Sequence, residues 1–175
     1  KVLIFTSFKD TAAYLERGLE DEAWLKRAGG PHVRRIDGRN HPGERTGIVA
    51  SFAPRAMEGT ATGTDDREID ILISTDVLSE GQNLQDCGCM INYDLTWNPV
   101  RLVQRSGRID RLRSPHDSIL ILNMFPEKEL EDLLRLLERL TSRIGQIDDL
   151  GMLDASVLGE VVHPRTFNAL RRVKE

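Results

Sequence analysis

The run Gln104-Arg105-Ser106-Gly107-Arg108-Ile109-Asp110-Arg111 concentrates more chemistry than any other stretch of the chain. Arg101, Arg105, Arg108, Arg111 and Arg113 lie close together against a single acid, Asp110. Arg108 and Arg111 are three residues apart, so on one helix or helical turn they share a face. Two guanidinium groups aimed at one point suit a phosphate whose negative charge grows during transfer. Arginines supplied to such a site accelerate phosphoryl transfer by roughly 10³ to 10⁵. From the charge pattern alone, a solvated basic helix end, stabilised by the helix dipole, is the commoner outcome.

What the sequence lacks limits this chemistry. It contains no G-x-x-x-x-G-K-[ST] loop, so nothing in it would cradle the β- and γ-phosphates of a nucleotide. It also lacks a D-E-A-H-type magnesium-binding run, an H-E-x-x-H zinc helix and a G-x-S-x-G nucleophile turn. Cys87 and Cys89 form a lone C-x-C with no second pair, which reads as small core residues beside a strand and not as a metal site. No metal ligands are therefore expected, and the histidines are too scattered to assign a role.

The elements that must position the arginines follow from hydrophobic periodicity. Short apolar runs at Val2 to Thr6, Val33 to Ile36, Ile69 to Ser74, Met90 to Tyr93 and Ser118 to Asn123 read as buried strands. Between them, helical spacing covers Lys9 to Ala28, ended by Gly29-Gly30-Pro31, and about Gly43 to Phe52. A further helix runs from Pro99 into the arginine cluster. Pro126 to Ile144 carries a stripe of Leu130, Leu133, Leu134, Leu137 and Leu140, expected to face the core. Pro54 to Glu68 is polar and long for a loop, and is expected to be a mobile surface insertion. Trp24 is expected to pack its helix. Strands alternating with helices predict an α/β fold: three layers, with a central, mostly parallel sheet and helices on both faces.

Composition agrees with an ordinary globular domain. Of 175 residues, 39% are hydrophobic and 30% charged, enough for a single packed core. No apolar run approaches the roughly 20 residues of a membrane span, and no secretory leader is visible, so the expected location is the cytoplasm and no membrane partner is expected. A net charge of −4 argues mildly against a nucleic-acid surface, but the local arginine cluster permits one. The chain opens directly on a strand without a methionine, which reads as a piece of a longer protein.

Four strings together carry a resemblance. "QRSGRIDR" resembles motif VI of superfamily-two helicases and Swi/Snf-related ATPases, and "ILISTDVLSEGQNLQDCGCMINYDLTWNP" resembles motif V and the segment after it. "KVLIFTSF" resembles motif IV, and "RRIDGR" the short element that follows it. All four stand in family order over roughly Lys1 to Asn123, and "TWNPVRLVQRSGRIDR" is most similar to the RapA-like branch. Motif VI departs from the Swi/Snf pattern at Arg111-Leu112-Arg113-Ser114, where R-I-G-Q is usual.

The resemblance implies a RecA-like (P-loop NTPase-type) lobe over residues 1–144, with 145–175 as an extension, either a helical brace or the start of an accessory region. It implies ATP and Mg²⁺ held mainly by a first RecA-like lobe of the same polypeptide. Arg108 and Arg111 would be arginine fingers, with Gln104 and Gly107 beside the nucleotide. Glu80 and Gly81 would form the motif V turn that couples nucleotide to nucleic acid. Thr6, Ser7, Ser74 and Thr75, at strand ends, and Trp97 would contact nucleic acid, DNA being favoured. Strand-end or cap chemistry is the plainer use of the four hydroxyl residues, and a half-buried aromatic beside Pro99 that of Trp97. The implied activity is ATP-dependent translocation or helicase action, with this lobe inactive alone. The alternatives are an RNA helicase lobe of the same superfamily and a non-catalytic nucleic-acid-binding module.

Overall fold

The computed structural model describes residues 1–57, 63, 65, 67–78, 82–96, 98–111, 114–125, 135, 138–139, 142 and 168–173. Each apolar run forms the strand expected of it: β1 (Val2–Phe5), β2 (Val33–Ile36), β3 (Ile71–Ser74), β4 (Cys89–Asn92) and β5 (Ser118–Asn123). These five pair in parallel in the order β2-β3-β1-β4-β5. The strand with the most continuous apolar sequence, β1, lies inside the sheet between β3 and β4. A sixth strand, β6 (Asn168–Val173), pairs antiparallel with β5 at the edge. The extension 145–175, for which a helical brace is one expectation, is extended over these six residues and satisfies its backbone hydrogen bonds across the β5 edge.

Alternation of side chains along the strands divides the core in two. Leu3, Phe5, Leu72 and Met90 face one side, where α3 (Pro42–Phe52) covers them with Ile48, Val49 and Phe52, and α4 (Pro99–Ile109) adds Ile109. Ile4, Ile73 and Val33 face the other side, against Ala12, Leu15 and Leu19 of α1 (Lys9–Leu19) and Trp24 and Leu25 of α2 (Glu22–Ala28). The result is the expected three-layer α/β domain.

The single helix expected over Lys9 to Ala28 is two helices. The first ends at Glu20, and the Asp21 carboxylate accepts a hydrogen bond from the Trp24 amide at 2.9 Å, which starts the second. Gly29, with φ of 83°, closes α2 in the left-handed conformation that favours glycine. Arg35 of β2 ties that strand to α1 through Glu16, 2.7 Å away, and this bond raises the guanidinium pKa above its ordinary value.

Part of the expected insertion at Pro54 to Glu68 packs onto the domain. Ala56 and Met57 lie against the core, and the Asp65 amide donates to Ser51 Oγ at 3.1 Å. The helix expected over Pro126 to Ile144, with its leucine stripe, and the boundary at 144 fall largely outside the described residues. Among the described residues, no helix is long and apolar enough to cross a membrane.

Candidate phosphate-sensing and nucleic-acid edge

Helix α4 holds the arginine cluster. It begins at Asn98, whose side chain accepts from the Val100 amide at 3.1 Å, and carries proline at its start, where the missing amide costs nothing. Pro99, Leu102, Arg105, Ser106 and Ile109 are its buried face. Arg101, Gln104 and Arg108 recur at three- and four-residue spacing on a different face; Arg101 and Gln104 are exposed and Arg108 is partly exposed. The buried face thus mounts the helix on the sheet while the second face is exposed or partly exposed.

One buried residue is a charge. Arg105 is fully buried, yet its guanidinium donates from Nε and Nη2 to Asp76 Oδ1 at 3.1 and 2.8 Å and from Nη1 to Asn92 Oδ1 at 3.2 Å. It lies over the Phe5 ring, 5.0 Å from the centroid. Asn92 is braced in turn by its own donation to Asn123 Oδ1 at 2.8 Å. Asp76 opens a 3₁₀ turn, Asp76–Leu78, just past the end of β3, and its second oxygen accepts from Arg101 at 2.9 Å. A single network therefore joins the carboxyl ends of β1, β3, β4 and β5 to α4.

Arg108 is fixed at its backbone as well. Its carbonyl accepts from the Leu84 amide at 3.0 Å, which ties the last turn of α4 to the strand-following segment 82–88. That segment is held from its other side by Ser114 Oγ on the Gln85 carbonyl at 3.1 Å and by the His116 ring against the Asp86 carbonyl at 3.0 Å. Arg111 does not continue the helix. Asp110 is the cap, with φ −84° and ψ 88°, so the shared helical face expected for Arg108 and Arg111 ends between them. Arg111 Nε instead donates back to the Gly107 carbonyl at 3.1 Å, using one of the carbonyls left open at the helix end. Gly107 is exposed, and a Cβ built there would meet nothing within 4 Å.

The four hydroxyl residues do stand at strand ends, but two hydroxyls are turned inward. Thr6 is fully buried and donates through Oγ1 to Asp94, a carboxylate that also accepts from the Ser7 amide at 2.8 and 3.0 Å. Ser74 is also fully buried and donates to the Thr75 carbonyl at 2.6 Å. Thr75 is buried with its amide on the Ile36 carbonyl at 3.2 Å. Of the four, Ser7 alone is half-exposed. It lines an open cleft of about 270 Å³ with Phe8, Asp94, Leu95, Thr96, Asn98 and Arg101. Glu80, Gly81 and Trp97 lie outside the described residues.

Three contributors escaped sequence reasoning. Arg105 shares the helical face of Leu102 and Ile109, a spacing that would have announced its burial, and a buried guanidinium requires a carboxylate such as Asp76. Asp94, two residues past β4, carries no local signal, because its partners lie 87 and 88 residues away. Of the two cysteines expected in the core, Cys87 is fully buried, and burial pushes its thiol pKa up to about 12, whereas Cys89, in β4, is only half-buried.

A mostly parallel sheet with helices on both faces, and α4 packed at the carboxyl ends of its strands, is the architecture of a RecA-like helicase C-terminal lobe. The chain belongs to the helicase conserved C-terminal domain family, which matches residues 1–113. It is 34% identical over 155 residues to the uncharacterized ATP-dependent helicase YqhH of Bacillus subtilis, covering 86% of this chain and 24% of that protein. Over 72 residues it is 38% identical to a probable ATP-dependent RNA helicase of Methanocaldococcus jannaschii, covering 41% of this chain and 20% of that one. The chain thus spans about a quarter or less of these curated relatives. Two solved structures share the fold. The C-terminal part of the Fun30 ATPase domain has a TM-score of 0.59 at 22% identity, covering 78% of this chain and 38% of that chain. The C-terminal domain of the DEAD-box protein Dbp5 has a TM-score of 0.52 at 21% identity, covering 83% and 71%.

Proposed function

We propose that this chain is the second motor lobe of an ATP-dependent translocase on double-stranded DNA, of the Swi/Snf-related, RapA-like branch, acting in the cytoplasm. The observation that carries the reading is the mounting of Arg108. It stands partly exposed beside the buried face of a helix whose last turn is tied by backbone to segment 82–88. Such a mount fixes the turn of helix from which the guanidinium would reach a phosphate. The donor set fits the terminal phosphate of ATP: guanidinium groups from Arg108 and Arg111, and exposed backbone at Gly107 that a phosphate or a facing lobe could approach closely. It supplies neither phosphate loop nor magnesium ligands, so ATP and Mg²⁺ would be held mainly by the first RecA-like lobe of the same polypeptide, and this lobe would be inactive alone.

In this reading Arg108 and Arg111 offset charge developing on the transferred phosphoryl group when the lobes close, and Gln104 lines the same interface. Reopening after hydrolysis moves the strand-end edge along the nucleic acid. At that edge Ser7, the cleft beside it and Trp97 are the contacts. The buried Thr6 and Ser74 shape the edge, and Thr75, Glu80 and Gly81 belong to the coupling segment. The RNA helicase reading draws on the Methanocaldococcus relative; the "TWNP" likeness to Swi/Snf-related enzymes favours DNA. The test is ATP hydrolysis by the complete protein with duplex DNA, duplex RNA or neither. Stimulation by duplex DNA that Arg108→Ala lowers steeply to a measurable residual rate supports the proposal. Stimulation by RNA alone moves the protein to the second reading, and a rate indifferent to Arg108→Ala refutes the finger assignment.

A further inference from the structure

We infer that Arg105 and Asp76 are a positioning pair that sets the register of Arg108, an inference that rests on Arg108 being an arginine finger. Burying a guanidinium is a costly way to fill space. A residue of similar volume without charge would avoid the desolvation, and buried ion pairs replaced in this manner commonly leave a fold as stable or more so. What the pair adds over an apolar filler is direction. Arg105 donates along three bonds, two to Asp76 and one to Asn92, while its plane lies against Phe5. Such a fork resists rotation of α4 about its axis and sliding along it, whereas apolar contacts leave both motions soft. Arg108 is one helical turn from Arg105, so any rotation of the buried face swings its guanidinium through the same angle.

The pair also spans two parts of the site that must move together. Asp76 belongs to the 3₁₀ turn at the end of β3, and Arg105 to α4. The Leu84 amide on the Arg108 carbonyl ties the same helix to a second segment, 82–88. Held at Asp76 by side chains and at Leu84 by backbone, α4 is anchored at two points along its length, and Asp76 is the one that couples it to the end of β3. Breaking the Asp76 tie leaves the Leu84 tie as a pivot, so α4 remains attached but its rotation is no longer fixed.

The experiment uses the complete protein, with Asp76→Asn and Arg105→Lys each placed in the unmodified and the Arg108→Ala backgrounds. Both substitutions keep side-chain volume and some hydrogen bonding, and thermal unfolding checks that each variant is folded. At saturating duplex DNA, Asp76→Asn should lower kcat about ten- to a hundredfold with the KM for ATP changed less than about threefold, as expected for a misplaced group that acts in the transition state. In the Arg108→Ala background the same substitution should change kcat less than about twofold, because there is no finger left to misplace. Arg105→Lys should show the same dependence on background and serves alone if Asp76→Asn fails to fold. An equal loss in both backgrounds, or no loss in either, overturns the inference while leaving the finger assignment standing. If Arg108→Ala itself has no effect, the finger assignment fails and this inference falls with it.

Discussion

Removing one side of the Arg105–Asp76 pair should not be equivalent to removing the other. In Asp76→Ala the guanidinium stays fully buried and loses two of its three bonds, keeping only Asn92. Stripping the partner from a buried charge costs about 3–5 kcal/mol. The Asp76 side chain is 27% exposed, so water can enter the space it vacates, which places the expected cost near the lower end, about 3 kcal/mol. In Arg105→Met the charge itself is gone. Asp76 keeps Arg101 at 2.9 Å and its contact with solvent, and Asn92 keeps its donation to Asn123. The losses are the donor to Asn92 Oδ1 and the contact with Phe5, each worth about 1 kcal/mol, and the burial of an unbranched apolar side chain offsets much of this. The net expected cost is about 1 kcal/mol. With a urea dependence of about 2 kcal/mol per molar, the midpoint should fall about 1.5 M for Asp76→Ala and about 0.5 M for Arg105→Met. Urea unfolding followed by circular dichroism measures both. An Arg105→Met cost equal to or above that of Asp76→Ala would show that the guanidinium is not the liability assumed here, and the reasoning would be wrong.

Two further outcomes follow from single positions. Gly107 sits in α4 with open space around its missing Cβ, so Gly107→Ala should stabilise the lobe by about 0.5–1 kcal/mol through helix propensity while lowering the ATPase rate of the complete protein; a destabilised lobe or an undiminished rate contradicts the close-approach role. The Cys87 thiol has its pKa raised from 9.0 to about 12 by burial, so the unfolded chain loses this proton first as pH rises. Its contribution is complete below about pH 9 and is lost toward pH 12, at about 1.4 kcal/mol per pH unit. Unfolding free energies of the unmodified chain and Cys87→Ala should therefore converge above pH 9, and parallel pH curves would refute the burial argument.

The strands were legible because a parallel sheet buried on both faces writes itself as continuous apolar runs, and Val2–Phe5 and Ile71–Ser74 do so within one or two residues. The α1–α2 break was less visible, since Asp21 reads equally as one more polar residue on a long helix until its carboxylate is seen capping Trp24. Motif spacing located α4 but not its end. Whether Arg111 continues the helix depends on the conformation of Asp110, which no spacing rule specifies. The strand-end hydroxyls were in the expected places with a different use. Asp94 claims Thr6 and the Ser7 amide from 87 and 88 positions away, a pairing that exists only after β1 and β4 lie side by side. Periodicity of α4 did contain the burial of Arg105, because 99, 102, 105, 106 and 109 share one face. The apparent contradiction of a charge on that face was the signal.

The central claim is that Arg108 and Arg111 act on a phosphate held by a facing lobe, and the most direct measurement is a structure of the complete protein bound to ADP, magnesium and a planar phosphoryl mimic. The account predicts guanidinium nitrogens of both residues within hydrogen-bond reach of the mimic, about 2.7–3.2 Å, with Arg105 still on Asp76. Guanidinium groups turned away from the nucleotide, or a closed site completed by residues outside α4 and its cap, would contradict it.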